Sequence, residues 1–538
     1  MRIINTIILA FACCISVCAG VVLKKNGSHY QLEIDNKPMF VLGGELSNSA
    51  ATSVDDIDNV IPKMAQLGLN TVFVPAQWDL MEPEEGKFDF SLIDETINKA
   101  KENNMKVVFL WFGAWKNSMS CYAPLWFKSD TKRFPRAKTE NGKPLEIASA
   151  FSENVLQADK KAFLQLVQHI KNTDSDNTVI MIQVENEIGM LESARDYSDA
   201  ANKEYNNGKW IKHVSIKGDE NKRFVDEKFQ AFYYAQYVEQ LVKAGKKILN
   251  IPMYVNAAMN SRGRKPGEYP SAGPLAHLMD IWKSAAPDID IYAPDIYDDG
   301  FKNWVSLYRR DDNPFFTPET RMSENSGVRS LYTFGEVDAL GYSVFAIDQA
   351  PTKQTCQIKE AYTILEQLSP FFLQTSKQKA QKTYGLLFNK NDKERIIEDK
   401  NTILTCRHNF TLPWDPRATD GSEWPEGGGI IIKLASDEYI IAGNGIVVSF
   451  QTPSEKQQTE EIRSGEDGFA DKGIAKTTKQ IPFKGERIGI GYIDEVSISP
   501  DGIMNFIRRD NGDQDHQGRH ARISVGDYRI LHVKLYRY

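Results

Sequence analysis

Two acidic residues flank an asparagine where an apolar segment of the sequence, Thr178–Val184, ends in Glu185-Asn186-Glu187. A buried carboxylate costs free energy unless it is paired or takes part in chemistry. If the segment is a strand, its alternation places Glu185 and Glu187 on the same side. We favour Glu187 as the reactive group, because it lies beyond the strand end. The alternative is a salt-bridged pair with a purely structural role.

A second acid, Glu319, directly follows the apolar residues Phe315 and Phe316 and the dipeptide Thr317-Pro318. Arg321 is close enough in sequence to keep a carboxylate at position 319 ionised. An ion pair between Glu319 and Arg321 at the rim of the molecule is the alternative. Two carboxyl groups that face each other suit glycoside hydrolysis, because one must donate a proton while the other attacks the sugar or activates water.

The segments between residues 28 and 370 predict a fold that brings these acids together. Short apolar strands alternate with amphipathic helices, which is typical of a parallel sheet covered on both faces. The predicted strands are Phe40–Gly44, Asn70–Pro75, Lys106–Phe112, Thr178–Val184, Ile251–Asn256, Ile289–Pro294, Asn313–Pro318 and Tyr342–Ile347. The predicted helices are Val54–Leu67, Ser91–Asn103, Asp159–Asn172, Lys228–Leu249 and Pro274–Ala285. Eight such strands indicate a (β/α)8 TIM barrel, whose active site lies at the carboxyl ends of its strands. The rival is a doubly wound open sheet, but GGELSNS at 43–49 is a poor phosphate loop.

The chain is expected to have a leader at 1–19, a barrel at 20–375 and a β-rich domain at 376–538. Two long segments, Ser118–Ser152 and Met190–Lys222, follow strands three and four and therefore fall at the active-site face of a barrel. The last part contains short β-like segments separated by Gly-Asn-Gly and Asp-Gly turns, which indicates an all-β sandwich. Trp414 and Trp424 lie in one of its loops, where they could stack on sugar or cap the barrel; we favour capping.

The composition limits the classes of partner. The 538 residues include 65 Lys and Arg against 72 Asp and Glu, so the net charge is −7 and no basic excess is left to hold nucleic acid. Neither the eight histidines nor the cysteines beyond the leader have metal-ligand spacing, so we expect no metal and no cofactor. His516 and His520, the closest histidine pair, are expected to be solvated. The cysteines Cys121, Cys356 and Cys406 leave room for one disulfide of unknown pairing.

The first nineteen residues are typical of an export signal: Arg2 precedes the mostly apolar segment 3–17, and small residues surround Ala19. The apolar segment is too short to span a bilayer, and no later segment predicts a membrane span. A lipoprotein signal with an acylated cysteine is the alternative, although Val17 before Cys18 is unusual for one. We therefore expect the periplasm or the cell surface of a bacterium.

The motifs around these acids resemble a known family. Asn186-Glu187 at strand four, with Glu319 at strand seven, is similar to clan A of the glycoside hydrolases. QVENEIG at 183–189 resembles the family 35 β-galactosidases, as does NTVFVPAQWDLMEPEEGKFDF at 70–90, a frame that family 42 shares. The resemblance covers about residues 35 to 350, and the tail is similar to accessory domains of a bacterial branch.

The resemblance implies roles for individual residues. Glu187 matches the general acid/base, Glu319 the nucleophile, and Asn186 the side chain that binds the sugar 2-hydroxyl. Glu82 matches a residue that we interpret as structural, shaping a loop, because Pro83 restricts the backbone before it.

The sequence departs from the family after strand three, where members carry Ala-Glu-Trp and this chain has Trp111-Phe112-Gly113-Ala114-Trp115-Lys116-Asn117. The galactose contact made by that glutamate is therefore in question. Further candidates for substrate binding are Trp111, Trp115 and Asn117, Glu45 after strand one, and Asn256 and Tyr297 after strands five and six. For Trp111, burial in the core is an equal alternative.

The function that the sequence supports is a retaining exo-β-galactosidase that acts on plant polysaccharides or their oligosaccharides. A clan A glycosidase with another specificity, for β-glucosides or α-L-arabinopyranosides, is the alternative. A non-catalytic carbohydrate-binding protein is a third possibility, which the presence of both carboxyl groups disfavours.

Export makes a direct prediction about the mature chain. Protein isolated from its native host should begin at Gly20, because residues 1–19 carry the signal. N-terminal sequencing checks this. A chain that still begins at Met1 would contradict export by this signal, and a blocked, lipid-bearing cysteine would identify the lipoprotein form.

Overall fold

The computed structural model describes residues 20–27, 29–218, 220–260, 262–373, 382–456 and 483–538. The predicted leader and the predicted domain boundary after residue 375 lie outside these residues. No helix within the described ranges is long and apolar enough to cross a membrane. In the same part of the chain, Cys121, Cys356 and Cys406 are free thiols.

Residues 20–373 contain fourteen strands and eleven α-helices. The strands are β1 (Val21–Asn26), β2 (His29–Ile34), β3 (Lys37–Met39), β4 (Val41–Glu45), β5 (Thr71–Gln77), β6 (Lys106–Lys116), β7 (Arg136–Lys138), β8 (Pro144–Ala148), β9 (Val179–Asn186), β10 (Met253–Ala258), β11 (Ile291–Ile296), β12 (Phe316–Thr317), β13 (Glu319–Thr320) and β14 (Gly341–Tyr342). The helices are α1 (Val54–Gln66), α2 (Trp78–Met81), α3 (Ser91–Glu102), α4 (Leu125–Ser129), α5 (Glu153–Thr173), α6 (Asp199–Asn207), α7 (Lys222–Ile248), α8 (Met279–Ala285), α9 (Phe301–Tyr308), α10 (Ser326–Val337) and α11 (Thr352–Phe372).

The central sheet is a closed parallel barrel, which confirms the predicted fold. Its strand order is β12-β14-β4-β5-β6-β9-β10-β11-β13. Strands β12 and β13 lie on either side of Pro318, so they are two halves of strand seven. Proline has no N–H to donate to the ladder, which explains the interruption. The first half pairs with β14 and the second half with β11, and this closes the barrel with eight strands.

Several predicted element boundaries were wrong for identifiable reasons. Helices α5 and α7 each begin six residues before the predicted start, because the side chains of Ser152 and Asn221 accept hydrogen bonds from the first turn and cap the helices. Strand eight is only Gly341–Tyr342, and a 3-10 turn at Ile347–Gln349 replaces its predicted end. Strand three extends to Lys116 rather than ending at Phe112, which carries Lys116 to the barrel mouth.

The C-terminal part is a two-sheet β-sandwich, as expected. Its strands are β15 (Thr383–Phe388), β16 (Glu394–Asp399), β17 (Thr402–His408), β18 (Gly427–Ala435), β19 (Glu438–Asn444), β20 (Ile446–Gln451), β21 (Ile488–Ile498), β22 (Met504–Asp510), β23 (Ala521–Ile523) and β24 (Arg529–Arg537). The larger sheet has the order β15-β18-β19-β24-β21-β22, and the smaller has the order β16-β17-β20-β23.

In the larger sheet of the sandwich, strands β15, β18 and β19 are mostly buried on both faces. In β18, Ile431 points into the sandwich core, while Ile430 and Ile432 join the core of the barrel. Helices α10 and α11 supply the barrel side of this contact. At its centre Gly335 of α10 lies against Gly385 of β15, so closely that a Cβ on Gly335 would come within 2.9 Å of the Gly385 Cα. The continuous apolar triplet in β18 therefore reflects burial between two layers.

The tryptophans of the sandwich do not cap the barrel with their rings, contrary to the prediction. Trp424 stacks on His408 at a centroid distance of 4.8 Å, and Trp414 packs against His516. Their loop contacts the barrel through Glu426, whose carboxylate receives two hydrogen bonds from the Arg329 guanidinium at 2.7 and 2.9 Å.

The histidine pair near Trp414 was also predicted incorrectly, because one member is not solvated. His520 is buried, and its pKa is lowered to about 4 by burial and by the neighbouring Arg522. His516 is partly exposed and packs between His520 and Trp414.

Removal of the sandwich should destabilise the barrel. A chain that ends near Ser376 exposes the apolar faces of α10 and α11 to water, at a cost of about 25 cal/mol per Å² of apolar surface. We expect poor solubility and a lower thermal unfolding midpoint than in the full-length protein, measured by calorimetry. A truncated barrel with the stability of the full chain would contradict the contact described here.

Candidate active site

Glu187 and Glu319 meet at the carboxyl ends of the barrel strands. Glu187 directly follows β9, and Glu319 begins β13 on the opposite side of the barrel. One carboxylate oxygen from each, together with one from Asp295, lies within 4.8 Å of the other two. All three residues are buried, with 6% or less of their surface exposed. The fold thus brings together the two acids that the sequence singled out.

The backbone around Glu187 is held by strands three and five. Asn256 at the end of β10 accepts a hydrogen bond from the Glu187 N–H at 2.9 Å. The side-chain amide of Asn117 donates to the Glu187 carboxylate. Asn117 and Ser118 both have positive φ, in a tight turn where Lys116 and Met119 exchange backbone hydrogen bonds. This turn aims the Asn117 amide at Glu187.

The environment of Glu187 favours its protonated form. Burial and then the charge of Glu319 raise the pKa of Glu187 to about 7, although Lys116, Asp295 and Asn117 act in the opposite direction. A carboxyl group with this pKa is poised to donate a proton near neutral pH and to take one back afterwards.

Glu319 has one bound and one free carboxylate oxygen. The hydroxyl of Tyr297, after β11, donates a hydrogen bond to Glu319 Oε1. Its other oxygen, Oε2, is buried and has no hydrogen-bond partner among the residues that the structure describes. The geometry therefore leaves Oε2 as the oxygen available to a reacting atom.

Lys116, rather than Arg321, is the cation that faces these acids, which corrects the prediction. Arg321 is exposed, and among the described residues it forms no ion pair with Glu319. Lys116 is buried at the end of β6. Burial alone would lower the pKa of Lys116, but the carboxylates of Glu319, Glu45 and Glu187 outweigh burial and raise it. Lys116 therefore carries the positive charge that partly neutralises the site.

Glu45, at the end of β4, joins the same cluster. Both of its carboxylate oxygens are buried, and neither has a hydrogen-bond partner in the described ranges. Burial and the charge of Glu319 raise the pKa of Glu45 well above its ordinary value. The two side-chain polar atoms of Asn186 are likewise buried and unpartnered. Polar atoms of this kind are the ones that sugar hydroxyls or ordered water would satisfy.

Glu185 does not lie on the same side as Glu187, which corrects the prediction from strand alternation. Glu185 has φ of 61° and Glu187 has φ of 46°, and this left-handed backbone breaks the alternation at the strand end. The Glu185 carboxylate accepts the backbone N–H of Trp115 at 2.8 Å and meets Asp159 of α5. Glu185 thus joins the barrel to its helix layer.

Trp111 and Trp115 also face the helices outside the barrel. Their prediction as substrate-binding residues was therefore wrong. Trp111 is fully buried and donates from Nε1 to Asp159 at 2.9 Å. Trp115 is fully buried and packs against Tyr234 and Tyr237 of α7. Both rings stand behind the strand, away from Glu187.

Glu82 has a structural position, because it accepts from Trp78 Nε1 and the Gly86 N–H at 2.7 Å each.

Sequence reasoning missed Lys116 and Asp295. Asp295 follows the apolar segment of strand six, so the signal that identified Glu319 could also have identified Asp295. The triangle of Glu187, Asp295 and Glu319 has a spacing that could hold a cation. The positive charge that this chain places beside it is the Lys116 ammonium, and we assign no metal ligands here.

Two family models match parts of the chain. The model of glycosyl hydrolases family 35 matches residues 31–266, which include Glu187 but not Glu319. A domain of unknown function, DUF5597, matches residues 358–522, from within α11 to within β23 of the sandwich. A search of curated proteins finds no match.

Similar solved structures include two β-galactosidases. One is the cold-adapted enzyme from Rahnella sp. R3, with 16% identity, a TM-score of 0.47, and coverage of 62% of this chain and 56% of that one. Another is the polyextremophilic enzyme from the Antarctic haloarchaeon Halorubrum lacusprofundi, with 16% identity, a TM-score of 0.44, and coverage of 60% and 58%. The chain therefore spans less than two thirds of the length of either.

Substitution of Lys116 should make stability depend more steeply on pH. Glu45, Glu187 and Asp295 have raised pKa values in the folded state. A carboxyl group whose pKa is raised in the folded state stabilises the fold at pH values below its pKa in the unfolded state. This contribution is lost as the pH rises through its pKa in the folded state. Lys116→Met raises these pKa values further and leaves buried charge unneutralised, at a cost of about 3 kcal/mol.

The thermal unfolding midpoint of Lys116→Met should therefore fall below that of the wild type, and further below it at pH 8 than at pH 5. Lys132→Met, at an exposed lysine, is the matched control. Equal losses at both pH values would contradict a neutralising role for Lys116.

Proposed function

We propose that the chain is a retaining exo-β-galactosidase, from the match of residues 31–266 to the model of glycosyl hydrolases family 35 and from the carboxyl pair. In this proposal Glu319 is the nucleophile and Glu187 the general acid/base. The enzyme removes terminal non-reducing β-D-galactosyl residues from plant-type polysaccharides or their oligosaccharides.

The observation that carries the proposal is the short separation of the two carboxyl groups. Oxygens of Glu187 and Glu319 lie within 4.8 Å of each other. Retaining glycosidases place their carboxyl groups about 5–5.5 Å apart, whereas inverting enzymes need roughly 6.5–9.5 Å to admit a water molecule between them. The spacing supports direct attack by a carboxylate on the sugar.

The first step forms a glycosyl-enzyme. Glu319 Oε2, the oxygen without a hydrogen-bond partner, attacks the anomeric carbon while the bond to the leaving oxygen breaks. Glu187 gives its proton to that oxygen, so the aglycone leaves as an alcohol. The Tyr297 hydroxyl holds the other oxygen of Glu319 and fixes the direction of attack.

The second step releases the sugar. Formation of the ester removes the negative charge of Glu319, which is one cause of the raised pKa of Glu187. The pKa of Glu187 therefore falls, and its carboxylate takes a proton from water. The water oxygen attacks the anomeric carbon from the side that the leaving group vacated, and Glu319 departs as a carboxylate. Two inversions give net retention.

The sugar-binding roles fall on side chains around this pair. Asn186 and Glu45 carry unpartnered polar atoms in the cluster. Asn117 is exposed at the rim and already contacts Glu187. Asn256 acts on Glu187 and Asp295 rather than on the sugar, because both of its polar atoms bind these residues. Because the sequence after strand three departs from the family pattern, β-glucosides and α-L-arabinopyranosides remain alternative substrates.

We also propose that the enzyme acts outside the bacterial cytoplasm, in the periplasm or at the cell surface. The support is the leader-like sequence of residues 1–19 together with a polysaccharide substrate that is too large to enter a cell intact.

The two glutamates should respond differently to substitution. Glu319→Ala should abolish turnover, because no nucleophile remains. Glu187→Ala should slow phenyl β-galactoside by about 100-fold or more, and an activated dinitrophenyl β-galactoside much less, because a good leaving group needs little protonation. In the wild type, kcat/KM should decline above pH about 7, as Glu187 loses its proton.

Steady-state kinetics over a pH series measures these effects, with Glu192→Gln, at an exposed glutamate, as the control. Near-normal turnover by Glu319→Ala would contradict the assignment. A panel of chromogenic glycosides identifies the sugar: preference for a glucoside or an arabinopyranoside would replace galactose, and turnover of none would favour a binding protein.

A further inference from the structure

Asp295 is a third carboxyl group in the site, and the two-step reaction does not use it. It lies near the end of β11 and is fully buried. Asn256 donates from Nδ2 to Asp295 Oδ2 at 2.6 Å, while no donor within the described part of the chain is directed at Oδ1. One oxygen of the Glu187 carboxyl and one of the Asp295 carboxyl lie within 4.8 Å of each other.

The surroundings of Asp295 are crowded with ionisable groups. They come from several strands of the barrel and the residues after them: Glu45 (β4), Lys116 (β6), Glu187 (after β9), Tyr254 (β10), Tyr297 (after β11), Glu319 (β13) and, from α9, Tyr308. Lys116 is the cation among them. Carboxylate oxygens within 4.8 Å of one another cannot all carry charge without a large cost, so protons must be distributed among them.

The hydrogen bonds indicate where one of these protons resides. Glu319 must be ionised to attack, and Tyr297 already donates to it. Glu187 gives up and regains its proton in each cycle. Asp295 has one oxygen that accepts from Asn256 and one that accepts from nothing. This is the arrangement of a carboxylic acid whose C=O is held by an amide and whose O–H is free to donate.

We propose that Asp295 is a positioning residue that carries a proton and donates a hydrogen bond from Oδ1 to the carboxyl of Glu187. Asn256 holds both partners, since it accepts from the Glu187 N–H and donates to Asp295. The bond keeps Glu187 aimed at the leaving oxygen and stabilises its carboxylate after proton transfer. This role rests on the proposed function, because it gives Glu187 the part of acid/base. Burial and the neighbouring carboxylates raise the pKa of Asp295 well above its ordinary value, which agrees with a bound proton.

Infrared difference spectroscopy tests the protonation state without any turnover. At neutral pH the wild type minus Asp295→Asn spectrum should contain the carbonyl stretch of one protonated carboxyl group, and wild type minus Asp295→Ala should contain the same band. Asp299→Asn, at an exposed residue of the same loop, should give no such band. Absence of the band in both Asp295 variants would overturn the proposal.

Kinetics test the positioning role. The amide of Asp295→Asn can still accept from Asn256 and donate to Glu187, so kcat/KM for phenyl β-galactoside should stay close to wild type. Asp295→Ala loses the donor, and kcat/KM should fall about 10- to 100-fold, as for one hydrogen bond to a charged group. Because that bond favours the ionised form of Glu187, the alanine variant should move the basic limb of the pH profile to higher pH.

The opposite result has a distinct signature. If Asp295 were ionised in the wild type, removing its charge would move the basic limb to lower pH in both variants, and Asp295→Asn would lose activity as severely as Asp295→Ala. A wild-type protein that turns over no glycoside, or an active Glu319→Ala, would instead reject the proposed function and leave the infrared result to decide the state of Asp295.

Discussion

Four carboxyl groups, from Glu45, Glu187, Asp295 and Glu319, are buried at one end of a barrel, together with Lys116, whose positive charge acts on them. Taking this much charge out of water is strongly unfavourable unless protons, hydrogen bonds and the lysine compensate for it. The four carboxyl groups therefore differ in how readily each one binds a proton. This difference in proton affinity allows one carboxyl group to act as an acid and another as a nucleophile at the same pH.

The barrel and its supporting layers hold these carboxyl groups together against their electrostatic repulsion. Parallel strands deliver each carboxyl to the same end of the barrel, and Asn256 and the turn at Asn117-Ser118 fix Glu187 in place. Behind the strand, Glu185 and Asp159 tie the barrel to its helices. Further out, the sandwich covers α10, the helix that follows strand seven and Glu319. Rigid supporting layers of this kind are what precise catalytic geometry requires.

Local patterns in the sequence were sufficient to predict the barrel, the sandwich and the meeting of Glu187 with Glu319, because apolar strands with acids at their ends are local signals. The side of the strand that Glu185 occupies was not predictable, because a left-handed residue breaks the alternation. Trp115 was expected at the site but faces the helices, whereas Lys116, for which the sequence predicted no role, is buried at the barrel mouth. The roles of Lys116 and Asp295 depend on charges brought together from distant strands, and spacing along one segment carries no information about them.

The stereochemistry of the first-formed product tests the central claim most directly. Proton NMR during hydrolysis of an aryl β-galactoside, recorded before mutarotation mixes the anomers, shows which anomer the enzyme releases. We expect the enzyme to release β-galactose first, since Glu319 attacks the anomeric carbon directly and water then displaces Glu319 from the opposite side. Release of α-galactose first would mean that water attacks in a single step, and would contradict the role of Glu319 as nucleophile.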